Sequence, residues 1–349
     1  MPSTLTATPP AGGSAATRKA ARSGLIGVAL LLALVAALAL SLTVGARTTT
    51  LPTVLEALTS ADPGNGDHAV VLARIPRTIT GLLVGAALGM AGAGMQGIAR
   101  NPLADPGVLG VNAGAALAVV AGIYVFGAAT INVFMWFAFA GAAIAAFLVY
   151  AVASIGREGA TPIKLALAGA AFAAGFSSIM NAVLMLSQEA LDNFRFWHVG
   201  TLGARTLDEI AQVAPYLALG AVIVLFSGRS LNALSLGDDA ARGLGINVNR
   251  ARIIAGVGVV LLCGAAVALA GPIAFVGLVI PHAIRLLVGS SYHRILPLSM
   301  LAGPVLLLGA DVVGRVILPP SEVQVGVMTA LIGAPVFIWL IRSRKKVGL

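Results

Sequence analysis

Residues 24–45 form an apolar run of about 22 residues, long enough at ~1.5 Å per helical residue to cross the ~30 Å hydrocarbon core of a bilayer. Further runs follow at roughly 78–98, 111–128, 132–154, 163–187, 211–228, 252–271, 273–288, 296–317 and 325–341, about ten in all. Hydrocarbon offers no partner to backbone N–H and C=O groups, so a spanning segment must satisfy them itself or close into a barrel. Runs near 20 residues select helices, and the chain is expected to be an all-α, polytopic membrane protein. Composition agrees: 58% of residues are hydrophobic, 10% are charged and mean hydropathy is +0.98, far from the range of soluble domains.

An even number of spans puts both termini on one side. Arg18, Lys19 and Arg22 before the first span, and Arg342, Arg344, Lys345 and Lys346 after the last, make that side the cytosol. On this topology Lys and Arg divide 16 inside against 6 outside, so the net charge of +9 is explained by orientation and implies no nucleic acid partner. Residues 1–23, rich in Ala, Pro, Ser, Thr and Gly, read as a disordered cytosolic tail, 24–342 as the membrane domain and 343–349 as a basic cytosolic tail. Residues 46–77 read as an external loop with a short helix near 51–58 and a turn over 62–66.

Between the sixth and seventh spans lies the longest polar stretch after residue 70, from Arg229 to Arg252. Ser235 and Asp238 have capping-box spacing, Ala240, Ala241 and Leu244 continue a short helix, and Gly243 and Gly245 can close it. The stretch is therefore expected to be a folded cytosolic knob pinned between two spans. Such a knob is a handle for another protein.

Catalytic patterns are weak. His68, His198, His282 and His293 lack metal-ligand spacing, no hydrolase arrangement sits within a span, and no phosphate loop occurs. The only cysteine, Cys263, lies in an apolar run. Asp311 is the one carboxylate inside a run, with Arg315 four residues on to neutralise it, which leaves an ion-coupled secondary transporter little to work with. Gly81, Gly85 and Gly89 share one face of the second span and favour close helix packing. Arg74 and Arg77 before the second span and Arg315 at the end of the ninth read either as interfacial anchors or as exposed arginines that dock an acidic partner. Ala173, Ser177 and Asn181, at steps of four with Ser178 beside them, either line a path or bond to a neighbouring helix.

Several ordered motifs resemble one family. They include Arg74-Ile75-Pro76-Arg77, Gln96 with Asn101-Pro102-Leu103-Ala104-Asp105-Pro106, Trp197-His198-Val199-Gly200, the 231–245 segment, and Ala270-Gly271-Pro272-Ile273-Ala274-Phe275 with Pro281-His282 and Arg285. Ala310-Asp311 with Arg315, and Gly333-Ala334-Pro335-Val336-Phe337, complete the set. Over residues 25–342 the chain resembles the FecCD permeases of ABC importers for ferric siderophores, haem and cobalamin. The resemblance implies a ten-helix subunit of the type II importer fold in a bacterial cytoplasmic membrane. It would be paired with a second copy or paralogue, two cytosolic ATPase subunits and an external substrate-binding protein. ATP and magnesium would sit on the ATPase, with no cofactor on this chain, which is then not itself an enzyme. Leu234, Leu236, Gly237, Asp238, Asp239, Ala240, Ala241, Leu244 and Gly245 would couple to the ATPase. Arg74, Arg77 and Arg315 would dock the binding protein. Thr161, Pro162, Ile163, Ser177 and Asn181 would form the path and its gate, although Pro162 and Ile163 depart from the small polar residues found there in the cobalamin permease. A ferric siderophore is the favoured cargo, with haem or cobalamin the alternatives.

Overall fold

The computed structural model describes residues 12–127, 131–156, 160–203, 205–319 and 321–344. The described residues are helical or in connecting turns, with no strand. The order begins α1 (Gly12–Thr43), α2 (Leu51–Thr59), α3 (Gly66–Ile98), a 3₁₀ turn (Pro106–Leu109), α4 (Val111–Phe126) and α5 (Ile131–Ala153). It continues with α6 (Pro162–Leu186), α7 (Gln188–His198), α8 (Leu207–Phe226), α9 (Gly228–Leu234) and α10 (Asp238–Gly243). The chain ends with α11 (Val248–Ala270), α12 (Val276–Val288), α13 (Tyr292–Val316) and α14 (Val325–Arg344). Seven helices are long and apolar enough to cross a membrane unaided; α4, α12 and residues Val325–Trp339 of α14 are shorter apolar helices. Together these account for each of the expected spans.

The centre of the bundle is α3, most of which is buried. Its glycine face meets α13, as the spacing implied. A Cβ on Gly85 would stand 2.6 Å from the Pro304 Cα, and one on Gly303 would strike the Gly85 carbonyl. Gly81 faces Leu308 and Gly89 faces the Ser299 carbonyl in the same seam. The two helices touch backbone to backbone, which only small residues permit and which brings many atom pairs into dispersion contact.

Several boundaries differ from expectation. α1 starts at Gly12, so residues 12–23, expected in a disordered tail, continue the helix of the first span, while residues 1–11 lie outside the described residues. The basic tail extends α14 as far as Arg344, and residues 345–349 lie outside. The external loop is shorter than expected because Asn65 caps α3, its side chain accepting from the Asp67 N–H at 2.9 Å, and the helix runs straight through Pro76. Helix α7 falls in what reads as loop; Ser187 caps it by accepting from the Ala190 N–H at 3.1 Å. Finally, α12 begins only at Val276, after an extended stretch. Irregular backbone at membrane depth must be enclosed by protein; here Gly271 and Ile273 are buried, and at the adjoining end of α11 Thr201 N–H donates to the Ala270 carbonyl at 2.8 Å while Arg205 donates to the Leu269 and Ala268 carbonyls at 2.6 and 2.8 Å.

Candidate functional site

The polar knob folds as the short helices α9 and α10. Its root is apolar: Leu231, Leu234 and Ala241 are fully buried. Asn232 accepts from the Tyr292 N–H at 2.8 Å and so fastens α9 to the start of α13. The expected capping box does not form. Ser235 instead closes α9, its hydroxyl donating to the Asn232 carbonyl at 2.6 Å, because Gly237, at φ +106°, swings the chain away before α10 begins. The C-terminal closure is as the glycines implied. Gly245, at φ +78°, donates to the Arg242 carbonyl and Ile246 to the Ala241 carbonyl, a Schellman-type end.

Freed from capping by hydroxyl, Asp238 takes another part. It accepts from Arg252 at 2.9 Å and pairs with Arg100 at 3.3 Å. The Arg252 side chain is almost wholly buried, and its other arm donates to the Ala160 carbonyl at 3.1 Å. Ala160 immediately precedes Thr161, which caps α6 by accepting from the Lys164 N–H at 3.4 Å, with Pro162 in the first helical position. The knob and the start of α6 are thus joined through one guanidinium. Outward, Leu236 and Leu244 are 65% and 64% exposed, and Asp239 stands free in solvent apart from a surface pair with Arg242. The nine residues singled out for coupling therefore divide. Leu234 and Ala241 hold the knob, Gly237 turns the chain between its two helices, Asp238 ties it to α6, and Leu236, Asp239, Ala240, Leu244 and Gly245 present its open surface.

Helix α6 is unusual for so apolar a segment, with only 6% of its span buried within the subunit. Ile163 and Asn181 are exposed, Ser177 is half-buried, and Ser178 turns its hydroxyl back to the Ala174 carbonyl at 2.9 Å. The sequence-derived path residues lie along one helix whose face is not used for the subunit's own core.

At the external end the three arginines meet, but not as expected. Arg74 and Arg315 are buried, which corrects the picture of three exposed cations. Arg74 donates to the Leu42 carbonyl at 2.9 Å and to the Arg47 carbonyl; Arg315 donates to the Ser41 carbonyl at 2.9 Å. Between them sits fully buried Asp311, 3.2 Å from Arg315 and 2.8 Å from Arg77. Helix spacing foretold the first pair, whereas the second joins residues distant in sequence. Arg77 alone keeps an open edge, where it holds Glu322 at 2.7 Å. Three guanidiniums face two carboxylates, so the cluster carries a positive surplus toward the outside. Arg252, Arg100 and Glu322 were not singled out from sequence, since their partners are reached only through the fold.

Among the described residues no cluster of metal-ligating side chains occurs. Of the loop groups, burial pushes the Asp105 carboxyl up against the opposing pull of the Gly107 N–H, and burial pushes the His198 imidazole down.

The profile of the FecCD transport family matches residues 31–343. This chain belongs to the FecCD transport family. It is 46% identical over 321 residues to the "Ferric enterobactin transport system permease protein FepD" of Escherichia coli (strain K12), covering 91% of this chain and 95% of that one. It is 42% identical over 330 residues to the "Probable siderophore transport system permease protein YfiZ" of Bacillus subtilis (strain 168), covering 94% and 99%. Among solved structures it superposes with TM-score 0.80 and 30% identity on "An inward-facing conformation of a putative metal-chelate type ABC transporter", covering 90% of this chain and 98% of that one. The FecCD chain is accordingly a multi-pass permease subunit of an ABC importer in the bacterial cytoplasmic membrane. As a permease it is not itself an enzyme.

Proposed function

We propose that this FecCD subunit carries a ferric siderophore from an external binding protein into the cytoplasm, driven by ATP hydrolysis on separate cytosolic subunits. The observation that carries the reading is the connection from knob to path. The exposed Leu236, Asp239 and Leu244 offer a grip, and Asp238, Arg252 and Ala160 link that grip to the first residues of α6. A displacement of α9 and α10 by an ATPase would then be felt at Thr161, Pro162 and Ile163, the proposed gate. The physics is a packing with two arrangements, biased by nucleotide bound on another chain. ATP and magnesium belong to that chain.

The unburied face of α6, with Ser177 and Asn181, supports its assignment to a path formed with a second permease subunit, identical or paralogous. At the other end Arg77 is the proposed point of docking, because it alone reaches the surface, while Arg74, Asp311 and Arg315 hold it in place. Its partner would present carboxylates, drawn by the cluster's positive surplus. The cargo is inferred from relatives named for enterobactin, citrate and hydroxamate complexes of iron. The test is uptake into vesicles containing the permease and its ATPase, with the adjacent binding protein loaded in turn with ferric siderophores, haem or cobalamin. Uptake of a ferric siderophore that needs ATP and binding protein supports the reading. Uptake without ATP refutes it, and transport of haem or cobalamin alone moves the cargo to those classes.

A further inference from the structure

A groove of about 440 Å³ lies between α5 and α11, on the cytosolic half of the subunit. Ala146, Phe147 and Tyr150 form one wall; Ile253, Val257 and Leu261 form the other. Its lining is apolar apart from Arg252 and the Tyr150 phenol, which both lie toward the cytosolic end. Both walls are spans, and Phe147, Ile253 and Val257 at the rim are exposed large apolar residues, so the open side meets the bilayer. From Arg252 to Leu261 is about 14 Å of helix at ~1.5 Å per residue, close to the ~15 Å depth of one leaflet's hydrocarbon. The volume lies within the range of about 300–1,000 Å³ usual for ligand sites.

Among the described lining residues, charge is found at the cytosolic end alone. Arg100 and Arg252 share the single carboxylate of Asp238, and the Arg252 Nε is buried without a hydrogen-bond partner. Exposed Arg250 stands one helical turn before Ile253 on the stripe that lines the groove. A surplus of positive charge therefore marks the level at which phospholipid headgroups lie.

We propose that this groove binds one acyl chain of an anionic phospholipid of the cytosolic leaflet, with the headgroup phosphate held at Arg250. Apolar lining, leaflet-deep length and a cation at the headgroup end together match that ligand, and among the described residues no other element uses the space. Because Arg252 closes the groove and also ties the knob to α6, the bound lipid rests against the joint through which the two move together.

The test uses the full permease with its ATPase in vesicles of phosphatidylethanolamine, with phosphatidylglycerol carrying a photoactivatable group on its acyl chain. Irradiation should label α5 and α11 around Phe147 and Val257. Gly256 lines the groove and a Cβ there meets no atom within 4 Å, so Gly256→Phe places a ring in the groove with no clash at its Cβ and should remove that label. Arg250→Gln should lower it about fivefold, as expected for one basic residue near an anionic headgroup. In the unaltered protein, excess unlabelled phosphatidylglycerol should displace the probe, a measurement that stands even where a variant fails to assemble. Labelling spread evenly over the outer helices, or unchanged by Gly256→Phe, overturns the site. Equal labelling by a phosphatidylcholine that carries the same photoactivatable group on its acyl chain overturns the preference for an anion. Disulfide formation between two subunits carrying Val257→Cys places a second copy over the groove and overturns the assignment to lipid.

Discussion

Asp311→Ala isolates the buried charge cluster most directly. Asp311 is 1% exposed and sits between two guanidiniums, accepting from Arg77 at 2.8 Å and lying 3.2 Å from Arg315. Removing one partner of a buried ion pair costs about 3–5 kcal/mol, because the other charge stays behind undischarged. Here the residual damage falls unevenly. Arg77 keeps Glu322 and some contact with water, whereas Arg315, 2% exposed, keeps only the Ser41 carbonyl and hydroxyl. Those remaining partners put the expected loss at the lower end, about 3 kcal/mol. Arg315→Met alone frees Asp311 to satisfy itself with Arg77 and should cost less, about 1–2 kcal/mol. Asp311→Ala combined with Arg315→Met removes both charges and should recover most of the loss. The assay is reversible unfolding of the subunit in mixed micelles, read as a double-mutant cycle. A loss below about 1 kcal/mol for Asp311→Ala would refute the argument, as would a double variant no better than Asp311→Ala alone.

Gly85→Val drives a side chain into the Pro304 backbone and should destabilise by at least about 3 kcal/mol, with loss of folded protein in membranes measured by protease resistance. Leu244→Glu changes a residue 64% exposed, so unfolding should move by less than about 0.5 kcal/mol while ATP-driven uptake falls; normal uptake would remove Leu244 from the coupling surface. Glu322→Gln releases the open edge of Arg77 and should tighten docking of the binding protein by up to about fivefold, measured by surface binding at low salt; weaker docking would make Glu322 itself a contact. Arg205→Met leaves the Leu269 and Ala268 carbonyls at the end of α11 without their donor and should cost about 2 kcal/mol in the same micelle assay.

Much of this architecture can be read directly from residue order. Apolar length gives the spans and the Gly81, Gly85 and Gly89 spacing gives a packing face, whereas the caps at Asn65, Thr161 and Ser187 emerge only with the helices they start. Local rules succeed where the partner lies within a turn, as for Asp311 and Arg315. They fail where the fold supplies the partner. Ser235 and Asp238 have the spacing of a cap, yet a buried cation fourteen residues away binds the carboxylate more strongly than a backbone N–H would. Arg74 lies just before the expected second span and Arg315 at the end of α13, positions where arginines are usually wet, and no pattern along the chain reveals that Leu42, Arg47 and Ser41 carbonyls enclose them. Helix α7 is amphipathic and polar on average, so hydropathy passes over it.

The scant burial of α6 has a consequence for how such a subunit can change. Where a residue supports no core, replacing it leaves folding nearly untouched, since surface substitutions away from special features stay within about 0.5 kcal/mol. The α3–α13 seam is the reverse, with almost no tolerance for added atoms. One helix can therefore accept new side chains while another keeps the scaffold intact. Substitutions can accumulate on α6 without compensating mutations elsewhere in the subunit's own core.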